Sequence, residues 1–116
     1  MDRERQEKLD KFNTSRQEPV RLAIALEEFF CAGLPEEAGI VYEAYLKRRL
    51  RPAVAALIDR EELRHLEKLR TLGWLGLQQV DDGIAHAQKE KRTAALIWLL
   101  HTKDQDYGWR DRDLTL

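Results

Sequence analysis

The sequence predicts an all-α protein, a single compact array of about six helices. The strong helix formers Ala, Leu, Glu, Lys, Arg and Gln dominate it, whereas Val and Ile are scarce. Apolar residues recur three and four positions apart, and no stretch of strand length alternates apolar with polar residues. The chain has 116 residues, of which 43% are hydrophobic and 35% charged. That balance is typical of one globular domain that folds without a disulfide or a metal.

The chain ends differ in character from its middle. Residues 1–14 carry charges of both signs, and only Leu9 and Phe12 are large and apolar. We therefore expect a flexible or frayed helical arm, which can dock only through these two side chains. Residues 15–103 form the predicted helical domain, and residues 104–116, which are rich in Asp and lack periodicity, form a predicted acidic C-terminal tail.

The first two helices of the domain are predicted over 16–32 and 35–50. Ser15 has capping-box spacing to the carboxylate three residues on, and Gly33 is placed to end the first helix in a left-handed cap. Pro35 is expected at the first position of the second helix, where a missing N–H costs nothing.

A break at Pro52 is expected to separate a short helix over 53–58 from its predecessor. Asp59 is the predicted N-cap of the next helix, over 60–72, and Gly73 is the predicted stop.

Two further helices, over 77–90 and 93–103, form a predicted hairpin. Gly83 within the first of them suggests a close neighbour, because a mid-helix glycine costs on the order of 1 kcal/mol relative to alanine. The residues expected to point inward from the second helix are Leu96, Leu99 and Leu100.

The hairpin carries a family resemblance. Its pattern is an apolar residue at Ile84, an alanine at Ala87, a polar turn at Lys91-Arg92 and paired leucines at Leu99-Leu100. Residues 84–100 thereby resemble the helix pair of an ankyrin repeat, without that family's Thr-Pro-Leu-His opening and with Lys91 at the turn glycine. The resemblance implies an ankyrin-like hairpin that binds proteins and performs no chemistry. An ordinary helical hairpin is the alternative, and the rest of the chain resembles small bacterial proteins of unknown function.

Motifs for chemistry are absent from the sequence. The three histidines, His65, His86 and His101, fall on different predicted helices without metal-ligand spacing, and no nucleophile or phosphate-loop motif occurs. We therefore predict no catalytic residue, metal ligand or cofactor, and keep an enzyme with an unrecognised site as a second alternative. The single Cys31, the charged start and the lack of a spanning apolar run predict a cytoplasmic protein without a membrane partner.

The predicted partner-binding surface combines a basic run with aromatic residues, which often anchor interfaces. Its members are Lys47, Arg48, Arg49, Arg51, Trp98, Tyr107 and Trp109. The run also suits a solvated helix C-terminus, an acidic protein or nucleic acid.

Net charge is −1, which provides no general attraction for nucleic acid. Asp81 and Asp82 would also repel phosphates if the helix over 77–90 read DNA. We therefore predict a non-catalytic protein–protein interaction module whose partner is another protein or a second copy in a homodimer. A nucleic-acid-binding regulator that uses residues 47–51 is the alternative.

Overall fold

The computed structural model describes residues 2–108, and over this range it contains α-helices and no strand. The predicted all-α class is thus confirmed. Seven helices follow one another: α1 (Arg3–Thr14), α2 (Glu18–Phe29), α3 (Glu36–Arg48), α4 (Leu50–Asp59), α5 (Leu63–Thr71), α6 (Leu77–Lys89) and α7 (Thr93–Tyr107). The chain divides within α4 into two compact units, residues 1–53 and 54–116. None of the helices within 2–108 has the length and apolarity needed to cross a membrane.

The N-terminal segment of the first unit forms a capped helix. The Asp2 carboxylate accepts the Arg5 backbone N–H at 2.8 Å, which fixes the start of α1. Phe12 is buried, and its ring makes edge-to-face contacts with Tyr42 and Tyr45, at centroid distances of 5.1 and 5.0 Å. Docking of the segment through Phe12 is therefore confirmed.

The start of α2 corrects the predicted cap at Ser15. The helix begins at Glu18, Gln17 occupies the N-cap position without a side-chain bond, and Ser15 is the C-cap of α1. The Ser15 hydroxyl still accepts a hydrogen bond, from the Gln17 N–H at 3.1 Å, but it lies too early in the chain to cap α2. The helix ends at Phe29, and Gly33 adopts the predicted left-handed conformation with φ +74° in the following loop.

The boundary between α3 and α4 lies earlier than predicted. Pro35 occupies the N-cap of α3 rather than its first position. The break falls at Arg49, whose carbonyl accepts the Ala53 N–H at 3.0 Å, and Pro52 lies inside the first turn of α4. A proline is tolerated there because the first N–H groups of a helix have no intrahelical acceptor.

The turn from α4 to α5 shows that the predicted cap at Asp59 is wrong. Asp59 is the last residue of α4, and Glu61 adopts φ +50°. The Glu62 N–H donates to the Leu57 carbonyl and the Glu61 N–H to the Ile58 carbonyl, both at 2.9 Å. This pair of bonds is a Schellman motif, which ends one helix and turns the chain into the next.

The same turn recurs 30 residues further along the chain, between α6 and α7. Lys91 has φ +57°, its N–H donates to the Gln88 carbonyl at 3.3 Å, and the Arg92 N–H donates to the Ala87 carbonyl at 2.8 Å. The predicted turn at Lys91-Arg92 is thus confirmed, and Glu61 occupies the position in the first hairpin that Lys91 occupies in the second. The second unit therefore contains two helical hairpins of the same design.

Small residues allow the two hairpins to approach closely. A Cβ atom at Gly83 would lie 3.2 Å from both Ile58 Cδ1 and Leu99 Cδ2, which confirms the predicted close neighbour. The Glu61 carboxylate also accepts the Ala95 N–H at 3.2 Å, so the first turn caps the last helix.

The C-terminal helix is longer than predicted. Helix α7 continues to Tyr107, and Gly108 ends it with φ +70°, so residues 104–107 are helical. Trp109 and the remainder of the predicted tail lie outside the described residues.

Candidate functional site

Two of the four cations in the predicted basic surface are engaged within the first unit. Lys47 Nζ lies 3.9 Å from Glu43 one turn earlier in α3. Arg49 Nε donates to Glu18 Oε2 at 3.3 Å, and its guanidinium carbon lies 5.9 Å from the centroid of the Tyr45 ring. The bond from Arg49 to Glu18 links the end of α3 to the start of α2.

Glu18 is the centre of that link. The Tyr45 hydroxyl donates to Glu18 Oε2 at 2.7 Å, and this bond lowers the pKa of the Glu18 carboxyl. Burial, and then the same bond, raises the pKa of Tyr45 to about 12. The Arg21 guanidinium lies over the rings of Phe12 and Tyr45, 4.6 and 4.9 Å from their centroids. Arg49 therefore belongs to an aromatic and ionic cluster that holds the first three helices together.

All four cations of the run are exposed, but Arg48 and Arg51 form no ion pair with any residue between 2 and 108. Arg48 ends α3, whereas Arg51 lies in the first turn of α4. The run thus offers two cations without an ion pair among the described residues, rather than four.

The first unit also contains a buried polar cluster that the sequence did not reveal. Glu28 is 3% exposed, and its Oε2 lies 3.4 Å from Lys8 Nζ, which also binds Glu27 at 2.7 Å. These carboxylates raise the pKa of Lys8. Cys31 is half-buried, and its thiol donates to the Glu27 carbonyl at 3.1 Å. Glu28 Oε1 and the Tyr42 hydroxyl are buried without a hydrogen-bond partner in the described structure.

Tyr107 lies with an ionic cluster in the second unit. Its hydroxyl donates to the Leu75 carbonyl at 2.5 Å. The preceding Asp106 forms a bidentate pair with Arg70 of α5, at 2.8 Å to Nε and 2.7 Å to Nη2, which lowers the pKa of the Asp106 carboxyl. Arg70 also donates to Gln105 at 3.2 Å. These groups line a shallow open depression, and because they bind one another, they fasten the end of α7 to α5.

The histidines lie apart from one another. His86 Nε2 lies 2.8 Å from Asp59 Oδ1 on α4, and His65 Nδ1 lies 2.6 Å from Glu62 Oε2. His101 is exposed on α7. Within the described part of the chain, no three His, Cys, Asp or Glu residues are arranged to hold a metal ion.

The outer face of α7 carries an apolar surface that the sequence did not single out. Ile97 is 54% exposed and Leu100 is 37% exposed, so the prediction that Leu100 points inward is wrong. Leu99 is fully buried, and the adjacent position on a helix points about 100° away. Trp98 is half-buried beside this face. We call it the α7 outer face; it consists of Ala94, Ile97, Leu100, His101 and Asp104, all exposed.

Comparison with protein-family models, with curated proteins and with solved structures finds no match to this chain.

Proposed function

We propose that this protein is a non-catalytic protein–protein interaction module that binds its partner through the α7 outer face. The observation that carries the proposal is the exposure of Ile97 and Leu100, one turn apart, on a helix whose opposite side is buried. Exposed apolar surface costs about 25 cal/mol per Å², and a partner that covers it recovers this free energy.

The repetition within the second unit supports a helical partner. Ile97 and Leu100 of α7 correspond, 30 residues earlier, to Glu67 and Arg70 of α5. Arg70 contacts Asp106 of the following hairpin, so this side of α5 is used for contact between hairpins. Arrays of helical hairpins bury each such side against the next hairpin. The same side of α7 is apolar and exposed.

We propose that the protein acts in the reducing cytoplasm, which suits the free thiol of Cys31. A nucleic-acid regulator is the weaker candidate, because only Arg48 and Arg51 of the basic run are without an ion pair among the described residues and the net charge is −1.

The experiment compares two double variants of the full chain in quantitative affinity capture from the native host cells. Ile97→Lys with Leu100→Lys places two charges on the α7 outer face without altering its buried side. Arg48→Ala with Arg51→Ala is the matched control, since it removes the two cations of the basic run that form no ion pair within residues 2–108. A second copy of the chain, with a different tag, is expressed alongside each double variant. Thermal unfolding confirms that both variants fold.

We expect proteins captured by the native chain to be depleted at least tenfold with the α7 variant, because interface anchors of this kind contribute about 2 kcal/mol. The arginine variant should retain them. Proteins retained by the α7 variant, or nucleic acid lost with the arginine variant, would count against the proposal.

A further inference from the structure

We propose that the α7 outer face pairs with the same face of a second copy of this chain, with the two α7 helices antiparallel about a two-fold axis. This inference rests on the proposed function and names its partner. It draws on the apolar pair Ile97 and Leu100 and on the charges at the two ends of the face.

The apolar residues are self-complementary in this arrangement. A two-fold axis midway between Ile97 and Leu100 brings Ile97 of each copy against Leu100 of the other. Ala94, one turn before Ile97, presents only a methyl group and so lets the second helix approach. A two-fold interface requires one patch that complements itself, which this spacing provides.

The charges at the ends of the face fix the direction of pairing. Lys91 lies in the turn before α7, and Asp104 lies in the part of the helix beyond Leu100; both are exposed, and neither forms an ion pair with another described residue. At a rise of 1.5 Å per residue, Asp104 lies roughly 8 Å from the axis, and Lys91 lies on the opposite side of it, beyond the N-terminal end of α7. In the antiparallel arrangement, Asp104 of one copy therefore lies within reach of Lys91 of the other.

The helix dipoles favour the same arrangement. Asp104 of each copy comes to the N-terminal turn of the other α7, where negative charge is stabilised. A parallel pair would instead place Asp104 beside Asp104 and Lys91 beside Lys91. A patch limited to one helix is small, so we expect a dissociation constant in the micromolar range.

The first experiment measures the association of the full chain by sedimentation equilibrium from about 1 to 500 μM, a range that brackets the affinity expected for a small interface. The native chain should dimerise, and Ile97→Lys and Leu100→Lys should each be monomeric. Asp104→Lys and Lys91→Asp should each weaken self-association at least fivefold. A mixture of these two charge variants should recover a heterodimer, since each interface then regains two opposite-charge pairs. Asp10→Lys, an exposed carboxylate on α1, is the matched control and should behave as the native chain.

The second experiment determines the direction of the two helices. In a Cys31→Ala background, Asp104→Cys and Lys91→Cys chains are treated with a bismaleimide that spans about 8 Å. The antiparallel pair separates the two residues at position 104 by roughly 16 Å along the helices and the two residues at position 91, beyond the helix ends, by at least as much, so neither variant alone should crosslink, whereas their mixture should. Crosslinking of each variant with itself, and not of the mixture, overturns the antiparallel arrangement.

The outcomes separate this inference from the proposed function. A native chain that stays monomeric up to 500 μM overturns self-pairing, whereas capture of another protein that depends on Ile97 and Leu100 still supports the interaction module. A dimer that both Ile97→Lys and Leu100→Lys leave intact overturns the α7 outer face as its interface.

Discussion

The Gly83→Ala substitution tests the packing of the two hairpins against each other. Alanine is favoured over glycine within a helix by about 1 kcal/mol. The added methyl group, however, would lie 3.2 Å from Ile58 Cδ1 and from Leu99 Cδ2, closer than ordinary carbon–carbon contact. Overpacking of a core typically costs about 1–3 kcal/mol. We therefore expect a net loss of about 1 kcal/mol in the free energy of unfolding, within a range of about 0–2.

Gly39→Ala provides the matched control, because the same atom is added to a helix with room for it. A Cβ atom at Gly39 of α3 would meet only Leu34 Cδ2, at 3.7 Å. Only the helix propensity then changes, and we expect a gain of about 0.5–1 kcal/mol. One substitution should thus have opposite effects in the two units.

Ile58→Val removes one of the atoms that the alanine at position 83 would meet, since valine lacks the Cδ1 methyl group, while the contact with Leu99 Cδ2 remains. Alone, this change should cost about 0.5–1.5 kcal/mol. Combined with Gly83→Ala, the total should be smaller than the sum by about 0.5–1 kcal/mol, because the vacated space accepts the new methyl group.

The measurement is urea unfolding at 25 °C, followed by far-UV circular dichroism and by tryptophan fluorescence. Trp74 and Trp98 both lie in the second unit, so fluorescence reports on the unfolding of the unit that contains Gly83. Two results would refute the reasoning: stabilisation by Gly83→Ala equal to that by Gly39→Ala, or additivity with Ile58→Val within about 0.3 kcal/mol.

Three further changes test contacts at other positions. Asp106→Asn should lower the free energy of unfolding by about 0.5–1 kcal/mol, because it weakens the pair with Arg70. Since the folded-state pKa of Asp106 is lowered, this contribution is present above pH 4 and is lost as the pH falls further. On acid titration, the free energy of unfolding should therefore decline less in the variant than in the native chain. Tyr45→Phe should lower the free energy of unfolding by about 1 kcal/mol, because it removes the bond to Glu18. Since the pKa of Tyr45 is raised to about 12, its contribution is present below pH 10 and is lost between about 10 and 12. The free energy of unfolding should therefore fall less steeply with rising alkaline pH in the variant. Lys91→Gly should stabilise by up to about 1 kcal/mol in thermal unfolding by relieving the left-handed residue, whereas Lys91→Ala, which keeps the Cβ atom, should have little effect.

Features set by the residue itself could be predicted from the sequence. Gly33 and Gly73 adopt the left-handed conformation, φ +74° and +80°, because glycine has no Cβ atom to oppose it. Gly83 within a predicted helix likewise indicates a close neighbour, although the sequence does not identify that neighbour. In each of these cases, the residue type limits the local backbone or the space around it.

Features decided by competition between distant groups could not be predicted. Asp59 belongs to a residue type that often caps helices, yet its carboxylate binds His86, which lies 27 residues away on α6. Glu61 adopts φ +50° although nothing in a glutamate favours it, because the hairpin turn requires that conformation, and its carboxylate accepts the Ala95 N–H. Ser15 is also a residue type that often caps helix N-termini, but here it is the C-cap of α1.

The candidate surface shows the same limit. Helix α7 carries apolar residues around most of its circumference between positions 94 and 100, so its periodicity cannot indicate which side is buried. Leu99 packs against Gly83 and is buried, and this contact determines which side of α7 faces inward. Ile97 therefore lies on the exposed side. Aromatic and charged residues suggested an interface from the sequence, but Tyr107 and Arg49 are bound within the protein. The exposed large apolar side chains of α7, Ile97 and Leu100, are aliphatic ones that resemble core residues in the sequence.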